Sequence, residues 1–122
     1  MTSYMTPAEL GQNLTLRDLS DPNQGAHAMR IILANVITDL TSGWSIPHET
    51  LRHSPLVAVE DNYDRLGFDP NAVTRDQRYS RYIGPTVMLR SHTSASAPWL
   101  LSSLAGQAKV DQLGSAARLG DI

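Results

Sequence analysis

The 122-residue sequence contains no cysteine, only one lysine and only one phenylalanine. The lack of cysteine excludes disulfide scaffolds, thiolate zinc sites and cysteine nucleophiles. No apolar run approaches the roughly 18 residues needed to cross a bilayer. The first ten residues also lack the basic start and the apolar run of a signal peptide. We therefore expect a cytoplasmic protein with no membrane partner.

The common sequence motifs of catalysis and phosphate binding are absent as well. There is no GxxxxGK[ST] or GxGxxG phosphate loop and no GxSxG nucleophile elbow. The four histidines, at positions 27, 48, 53 and 92, form no HExxH motif and no tight ligand pair, so no metal site is predicted.

The composition is that of one small folded domain with a nearly balanced charge. The hydrophobic fraction is 41% and the formal net charge is -2, which argues against a nucleic-acid arm or a polybasic membrane anchor. Residues 60–90 nevertheless hold ten of the twenty-two charged side chains. This mixed-sign cluster indicates either a solvated face or a polar site where strands and loops converge.

Periodicity predicts one long helix in the first third of the chain. Asp21-Pro22 is typical of a helix start, with Asp as N-cap and Pro at the first helical position. Gly43 is a suitable residue to end the helix. A wide apolar stripe follows the helical spacing between these positions, formed by Met29, Ile32, Leu33, Val36, Ile37 and Leu40.

The middle of the chain predicts strands. The apolar run from Leu56 to Val59 indicates a strand covered on both faces, and residues 63–66 indicate one helical turn. Residues 78–83 and 86–91 predict an antiparallel hairpin closed by a turn at Gly84-Pro85.

A second helix is expected after the hairpin, with Thr93, Ser94 or Ser96 as its cap, Pro98 in its first turn and Gly106 at its end. Residues 107–122 show only a weak helical pattern. The order of elements predicts an α+β fold with an antiparallel sheet and a long N-terminal amphipathic helix.

The run Met88-Leu89-Arg90-Ser91-His92-Thr93-Ser94 places a cation, an imidazole and hydroxyls between an apolar strand and a helix. Such groups can hold a small polar ligand, because strand ends are rigid supports. The alternative is a simple capping run, for which Thr and Ser are common.

This run resembles the alpha subunit of phenylalanyl-tRNA synthetase, a class II aminoacyl-tRNA synthetase, which has Leu-Leu-Arg-Thr-His-Thr-Ser at the end of a strand. Upstream, the family has a Val-Glu strand end, then Asn-Phe-Asp-Ala-Leu-Asn-Ile-Pro, then His-Pro-Ala-Arg-Asp. These are similar to Val59-Glu60, to the run from Asn62 to Phe68 with Pro70 after it, and to residues 72–76. The resemblance covers about residues 20–105. It implies that these residues form the N-terminal half of a class II catalytic domain, after a lead-in at 1–19 and before a divergent tail at 106–122.

The resemblance also implies roles for individual residues. His92 and Ser94 match the family positions that hold the amino group of the bound amino acid, with Thr93 between them. Glu60, Arg75 and Arg90 match positions that shape the pocket. The long helix, residues 26–42, lies where the family has a subunit-contact helix, which implies a homodimer or a partner subunit.

The family activity is ATP-dependent activation of a phenylalanine-like amino acid and its transfer to tRNA or another acceptor, with ATP and Mg²⁺. The family's ATP-binding arginines have no counterpart between Gln107 and Ile122. Because such groups stabilise the transferring phosphoryl centre, we expect an incomplete enzyme. The alternatives are a non-catalytic amino-acid-binding or dimerisation module and a truncated remnant.

Overall fold

The structure is a computed structural model, and it describes residues 3–107. The fold is α+β, with four helices and a small three-stranded antiparallel sheet. Two units are distinguished within the described residues: residues 7–53 form one, and residues 3–6 together with residues 54–107 form the other. No helix among residues 3–107 is long and apolar enough to cross a membrane.

The unit formed by residues 7–53 contains two helices. Helix α1, Pro7–Leu14, has proline at its first position and Glu9 in its first turn, both of which favour a helix start. Helix α2 spans Ala28–Trp44. No residue of either helix is buried.

The predicted start and end of the long helix are wrong. Asp21 caps only a short 3₁₀ turn, Pro22–Gln24, because Gly25 follows with φ 104° and interrupts the helical backbone. Helix α2 begins at Ala28, where Nδ1 of His27 accepts a hydrogen bond from the Met29 amide at 3.1 Å. The helix passes Gly43 and ends at Trp44, with Ser45 in the left-handed conformation as the C-cap.

The sheet has the strand order β1-β3-β2. Strand β1 is Leu56–Ala58, β2 is Arg81–Tyr82 and β3 is Val87–Leu89. β1 and β2 both pair antiparallel with β3, and Val57, Met88 and Tyr82 lie opposite one another across the three strands. The predicted hairpin is confirmed, because β2 and β3 are adjacent in sequence and Ile83 and Gly84 both donate to the Val87 carbonyl.

The predicted strands are too long. Val59 and Glu60 belong to helix α3, Val59–Asn62, rather than to β1. Leu56 in β1 is exposed, and Val57 and Ala58 are only half-buried, so this strand is not covered on both faces. Strand β2 is short because the backbone carbonyl of Asp76 accepts hydrogen bonds from the amides of Tyr79 and Ser80, and these bonds bend residues 76–80 into a turn.

The segment after β3 is helical, as expected, with different bounds. A 3₁₀ turn, Thr93–Ser96, has His92 as its N-cap, so none of Thr93, Ser94 and Ser96 is the cap. Helix α4, residues 97–107, follows without a break and includes Gly106, which therefore does not end it. The weak helix predicted around Val110, Leu113 and Ala117 lies outside the described residues.

The buried core lies where α3, β3 and the turn after β3 meet. Tyr63, Met88 and Ala95 are its buried apolar residues, and Asn62 and Ser80 are its buried polar ones. Both polar side chains are hydrogen-bonded, Asn62 to Ser91 and Ser80 to the Thr74 carbonyl. Because polar groups form much of this core, hydrogen bonds specify its geometry along with apolar packing.

Candidate functional site

The candidate site begins at the end of β3, the central strand. The ladder with β1 continues one residue past the strand, since the Arg90 amide donates to the Pro55 carbonyl at 2.7 Å. Asn62 of α3 then holds the next residue: its Nδ2 donates to Ser91 Oγ at 2.8 Å, and its Oδ1 accepts from the Ser91 amide at 3.2 Å. The residue before His92 is therefore fixed on both its backbone and its side chain.

The ring of His92 belongs to an aromatic cluster with Tyr63 and Phe68. It stacks on Phe68, with ring centroids 5.6 Å apart and ring planes 16° apart. Tyr63 presents its edge to both rings, at 5.4 Å from Phe68 and 6.2 Å from His92. Such offset and edge-to-face pairs are favourable contacts beyond simple burial of area.

The imidazole nitrogens of His92 are a polar feature within this apolar contact. Both Nδ1 and Nε2 are buried, and neither has a hydrogen-bond partner among residues 3–107. A buried polar atom without a partner costs roughly 1–3 kcal/mol. Buried polar atoms without partners are uncommon in folded proteins, which makes the ring nitrogens of His92 candidate binding groups.

The hydroxyls that follow His92 lie at the surface. Thr93 and Ser94 are exposed in the 3₁₀ turn, directly before α4. Arg90 is half-buried on the other side of His92. The structure thus brings four of the predicted site residues together in one short strand-to-helix junction.

Arg75 lies beside the same cluster but contacts protein groups. Its guanidinium carbon is 4.7 Å from the centroid of the Tyr63 ring. Nη2 is 2.5 Å from Asp64 Oδ1 and donates to the Phe68 carbonyl at 3.1 Å, while Nε donates to the Asp69 carbonyl at 2.9 Å.

Glu60 is exposed in α3 and pairs with Arg65 at 3.3 Å. Its partner is therefore a surface cation, and among residues 3–107 no hydrogen bond or ion pair joins Glu60 to the aromatic cluster. Ion pairs of this exposed kind contribute little to stability.

Phe68 and Asn62 were not among the predicted site residues, yet Phe68 stacks on His92 and Asn62 fixes Ser91. The signal was present in the sequence, because both lie in the Asn62-to-Phe68 segment that is part of the resemblance, and Phe68 is the only phenylalanine. Spacing alone does not show which side of this loop faces the end of β3.

The described part of the chain contains no group of three or more His, Asp or Glu side chains that could hold a metal ion. Comparisons with protein-family models, with curated proteins and with solved structures find no match to this chain.

Proposed function

We propose that this chain binds an amino acid with an aromatic side chain at the junction between β3 and α4. One observation carries the proposal: the ring of His92 is stacked on Phe68, and its two buried nitrogens lack partners among the described residues. Ser94, two residues on, presents a hydroxyl at an exposed position. The resemblance to phenylalanyl-tRNA synthetase assigns the amino group of the ligand to these two side chains.

The chemistry of the two side chains fits an ammonium group. A neutral imidazole offers one acceptor nitrogen, and a serine hydroxyl offers oxygen lone pairs. A hydrogen bond from an ionised donor is about twice as strong as a neutral one. Binding an ammonium at His92 would therefore satisfy a costly buried acceptor and gain a charge-assisted bond.

The surroundings favour an aromatic ligand over an aliphatic one. The Tyr63, Phe68 and His92 rings already form edge-to-face and stacked pairs, and a further ring prefers such partners. An antiparallel sheet with the His92 run directly after its central strand is compatible with the class II synthetase-like catalytic domain that the resemblance implies.

We propose amino-acid binding, and not the complete synthetase reaction, as the function of residues 54–107. Adenylation and transfer to tRNA would use ATP and Mg²⁺, and they need preorganised cations at the phosphoryl group. The purified full chain can be assayed for phenylalanine-dependent exchange between ATP and pyrophosphate. We expect binding without exchange, and robust exchange would show that the chain carries out the full activation step.

A second candidate function is subunit pairing through α2. Its apolar side chains are exposed, with Ile32 at 59% and Trp44 at 66%, and contiguous apolar surface commonly marks an interaction site. This candidate corresponds to a homodimer or a partner subunit contacting residues 26–42, and it is compatible with amino-acid binding elsewhere in the chain.

The binding proposal is tested by calorimetric titration of the full chain with L-phenylalanine. We expect measurable binding that weakens about tenfold or more, or 1.4 kcal/mol, in His92→Ala and in Ser94→Ala. His48→Ala and Ser102→Ala are matched controls, because His48 contacts the Thr50 hydroxyl and Ser102 is exposed in α4.

A ligand analogue separates recognition of the ammonium from simple apolar contact. N-acetyl-L-phenylalanine keeps the ring and the carboxylate but has no ammonium group, so we expect it to bind at least tenfold more weakly. Equal affinity for the two ligands would disprove the assigned role of His92 and Ser94.

A further inference from the structure

The side chain of Arg75 is only 16% exposed, which is unusual for an arginine. It is the last residue of the 3₁₀ turn Val73–Arg75, yet its guanidinium reaches back to residues 64, 68 and 69. Nε and Nη2 are both used in these bonds, and the central carbon of the guanidinium lies over the Tyr63 ring. The guanidinium at one end of the loop from Asp64 to Arg75 is therefore hydrogen-bonded to the first part of the same loop.

The contacts of Arg75 lead to His92 through two aromatic residues. Arg75 holds the Phe68 carbonyl, and the Phe68 ring stacks on His92. Arg75 also covers Tyr63, whose ring meets His92 edge-on. Tyr63 is fixed at its other end, because its hydroxyl donates to the Thr74 carbonyl at 2.7 Å.

We infer that Arg75 is a positioning residue for His92, acting through Phe68 and Tyr63 rather than on a ligand. The guanidinium fixes the loop backbone at Phe68, the fixed backbone sets the angle of the Phe68 ring, and that ring sets the plane of the imidazole. Groups that bind a ligand must be held within about 0.5 Å and 10–20° of their productive geometry, so a fixed imidazole plane matters for recognition.

The inference requires an arginine at position 75. A planar guanidinium can donate to a carboxylate and two carbonyls while it stacks on a ring, whereas a lysine ammonium is a compact point charge. Arg75→Lys can keep the pair with Asp64 but cannot reproduce the remaining contacts. We expect Phe68 to move in this variant while the net charge stays the same.

The inference about the ring is independent of the proposed function, and only its consequence for affinity rests on that function. The test records ¹H–¹³C correlation spectra of the full chain with labelled histidine. The three other histidines, His27, His48 and His53, lie in the separate unit of residues 7–53 and are internal references. We expect the His92 ring resonances in Arg75→Lys to shift more than those of any reference histidine.

Arg65→Lys is the matched control. Arg65 also pairs with carboxylates, Glu60 and Asp61, but its side chain is 51% exposed. We expect this variant to leave the His92 resonances in place. Unchanged resonances in folded Arg75→Lys, or equal shifts in both variants, would overturn the inference.

A second variant covers the case in which Arg75→Lys does not fold. Asp64→Asn removes the charge of the ion pair but leaves the bonds of Arg75 to the Phe68 and Asp69 carbonyls. We expect a smaller shift of the same His92 resonances. No shift in folded Asp64→Asn would then count against the inference.

Affinity is the final readout. We expect Arg75→Lys to bind L-phenylalanine about tenfold more weakly than the wild type, and Arg65→Lys to bind equally well. If the wild type does not bind phenylalanine, the proposed function is wrong, while the His92 shift still decides the positioning role. A shift of the His92 ring without any loss of affinity would show that the ring position does not govern binding and would overturn that part of the inference.

Discussion

The buried hydroxyl of Tyr63 allows a direct test of how much hydrogen bonds in the core contribute to the unfolding free energy. Tyr63 is 1% exposed. Its hydroxyl contacts the Thr74 carbonyl and Ser80 Oγ, and Ser80 Oγ also donates to the Thr74 carbonyl at 2.7 Å. The two hydroxyls have two protons between them, so this triad holds two hydrogen bonds at a time.

Tyr63→Phe removes one of these two bonds and leaves no buried polar group without a partner. Ser80 can still donate to Thr74, so the expected cost is that of a single hydrogen bond, about 0.5–1.5 kcal/mol. For a domain of this size, a loss of 1 kcal/mol lowers the melting temperature by roughly 4–8 °C. Ser80→Ala should cost a similar amount, because Tyr63 then serves the same carbonyl.

The double variant Tyr63→Phe, Ser80→Ala should cost more than the sum of the two single variants. In that variant the Thr74 carbonyl has lost both of its donors, which adds the penalty for an unmade hydrogen bond. Coupling energies between contacting residues are about 0.5–3 kcal/mol. Strict additivity would refute the picture of two donors that share one carbonyl.

The assay is urea unfolding of the four proteins, followed by circular dichroism, with Tyr79→Phe as the matched control. Tyr79 is 62% exposed, so the same chemical change there should alter the unfolding free energy by less than about 0.5 kcal/mol. If Tyr63→Phe is no more destabilising than Tyr79→Phe, the reasoning about the buried hydroxyl is wrong.

Three further predictions concern other parts of the chain. Burial raises the pKa of Tyr82, whose hydroxyl donates to the Arg75 carbonyl at 2.7 Å. The unfolded chain therefore loses this proton first, so the contribution of Tyr82 to stability is constant below about pH 10 and falls as the pH rises further; Tyr82→Phe should flatten that fall in urea midpoints measured across this range. Asn62→Ala should cost about 1–3 kcal/mol in the same assay, because the side chain is fully buried and makes both hydrogen bonds to Ser91; a loss below about 0.5 kcal/mol would contradict this. The chain should self-associate through α2, so light scattering should give a mass above that of one chain for the wild type and a smaller mass for Ile32→Asp; a monomer at every concentration, unchanged by the substitution, would count against pairing.

The mixed-sign cluster at residues 60–90 illustrates why both sequence interpretations were needed. Arg65 and Arg78 pair with carboxylates at the surface and fit a solvated face. The pKa of Asp76 is lowered mainly by the side-chain hydrogen bond from Arg78, and this contact lies between neighbours in sequence. Arg75 differs, because its partners are up to eleven residues away and enclose it. Charge counts cannot distinguish these cases, since enclosure depends on the path of the loop.

The amino-acid sequence by itself determined what depends on neighbours along the chain. The α+β class, the helical spacing in α2 and the turn at Gly84-Pro85 were predicted correctly, since each depends on residues within one turn or one hairpin. The predicted start of the long helix was wrong because a single glycine with positive φ, Gly25, interrupts the helical backbone after the cap at Asp21. The predicted strands were too long because β-propensity does not account for the turn that the hydrogen bonds to the Asp76 carbonyl form.

Only the tertiary structure decided what surrounds His92. The sequence placed an imidazole and two hydroxyls after a strand, but Phe68 lies twenty-four residues earlier and Tyr63 earlier still. Their contacts with His92 depend on how α3 packs against the 3₁₀ turn Thr93–Ser96 and on how Arg75 closes the intervening loop. These contacts are non-local, and their geometry is set by packing and hydrogen bonds that no sequence pattern encodes.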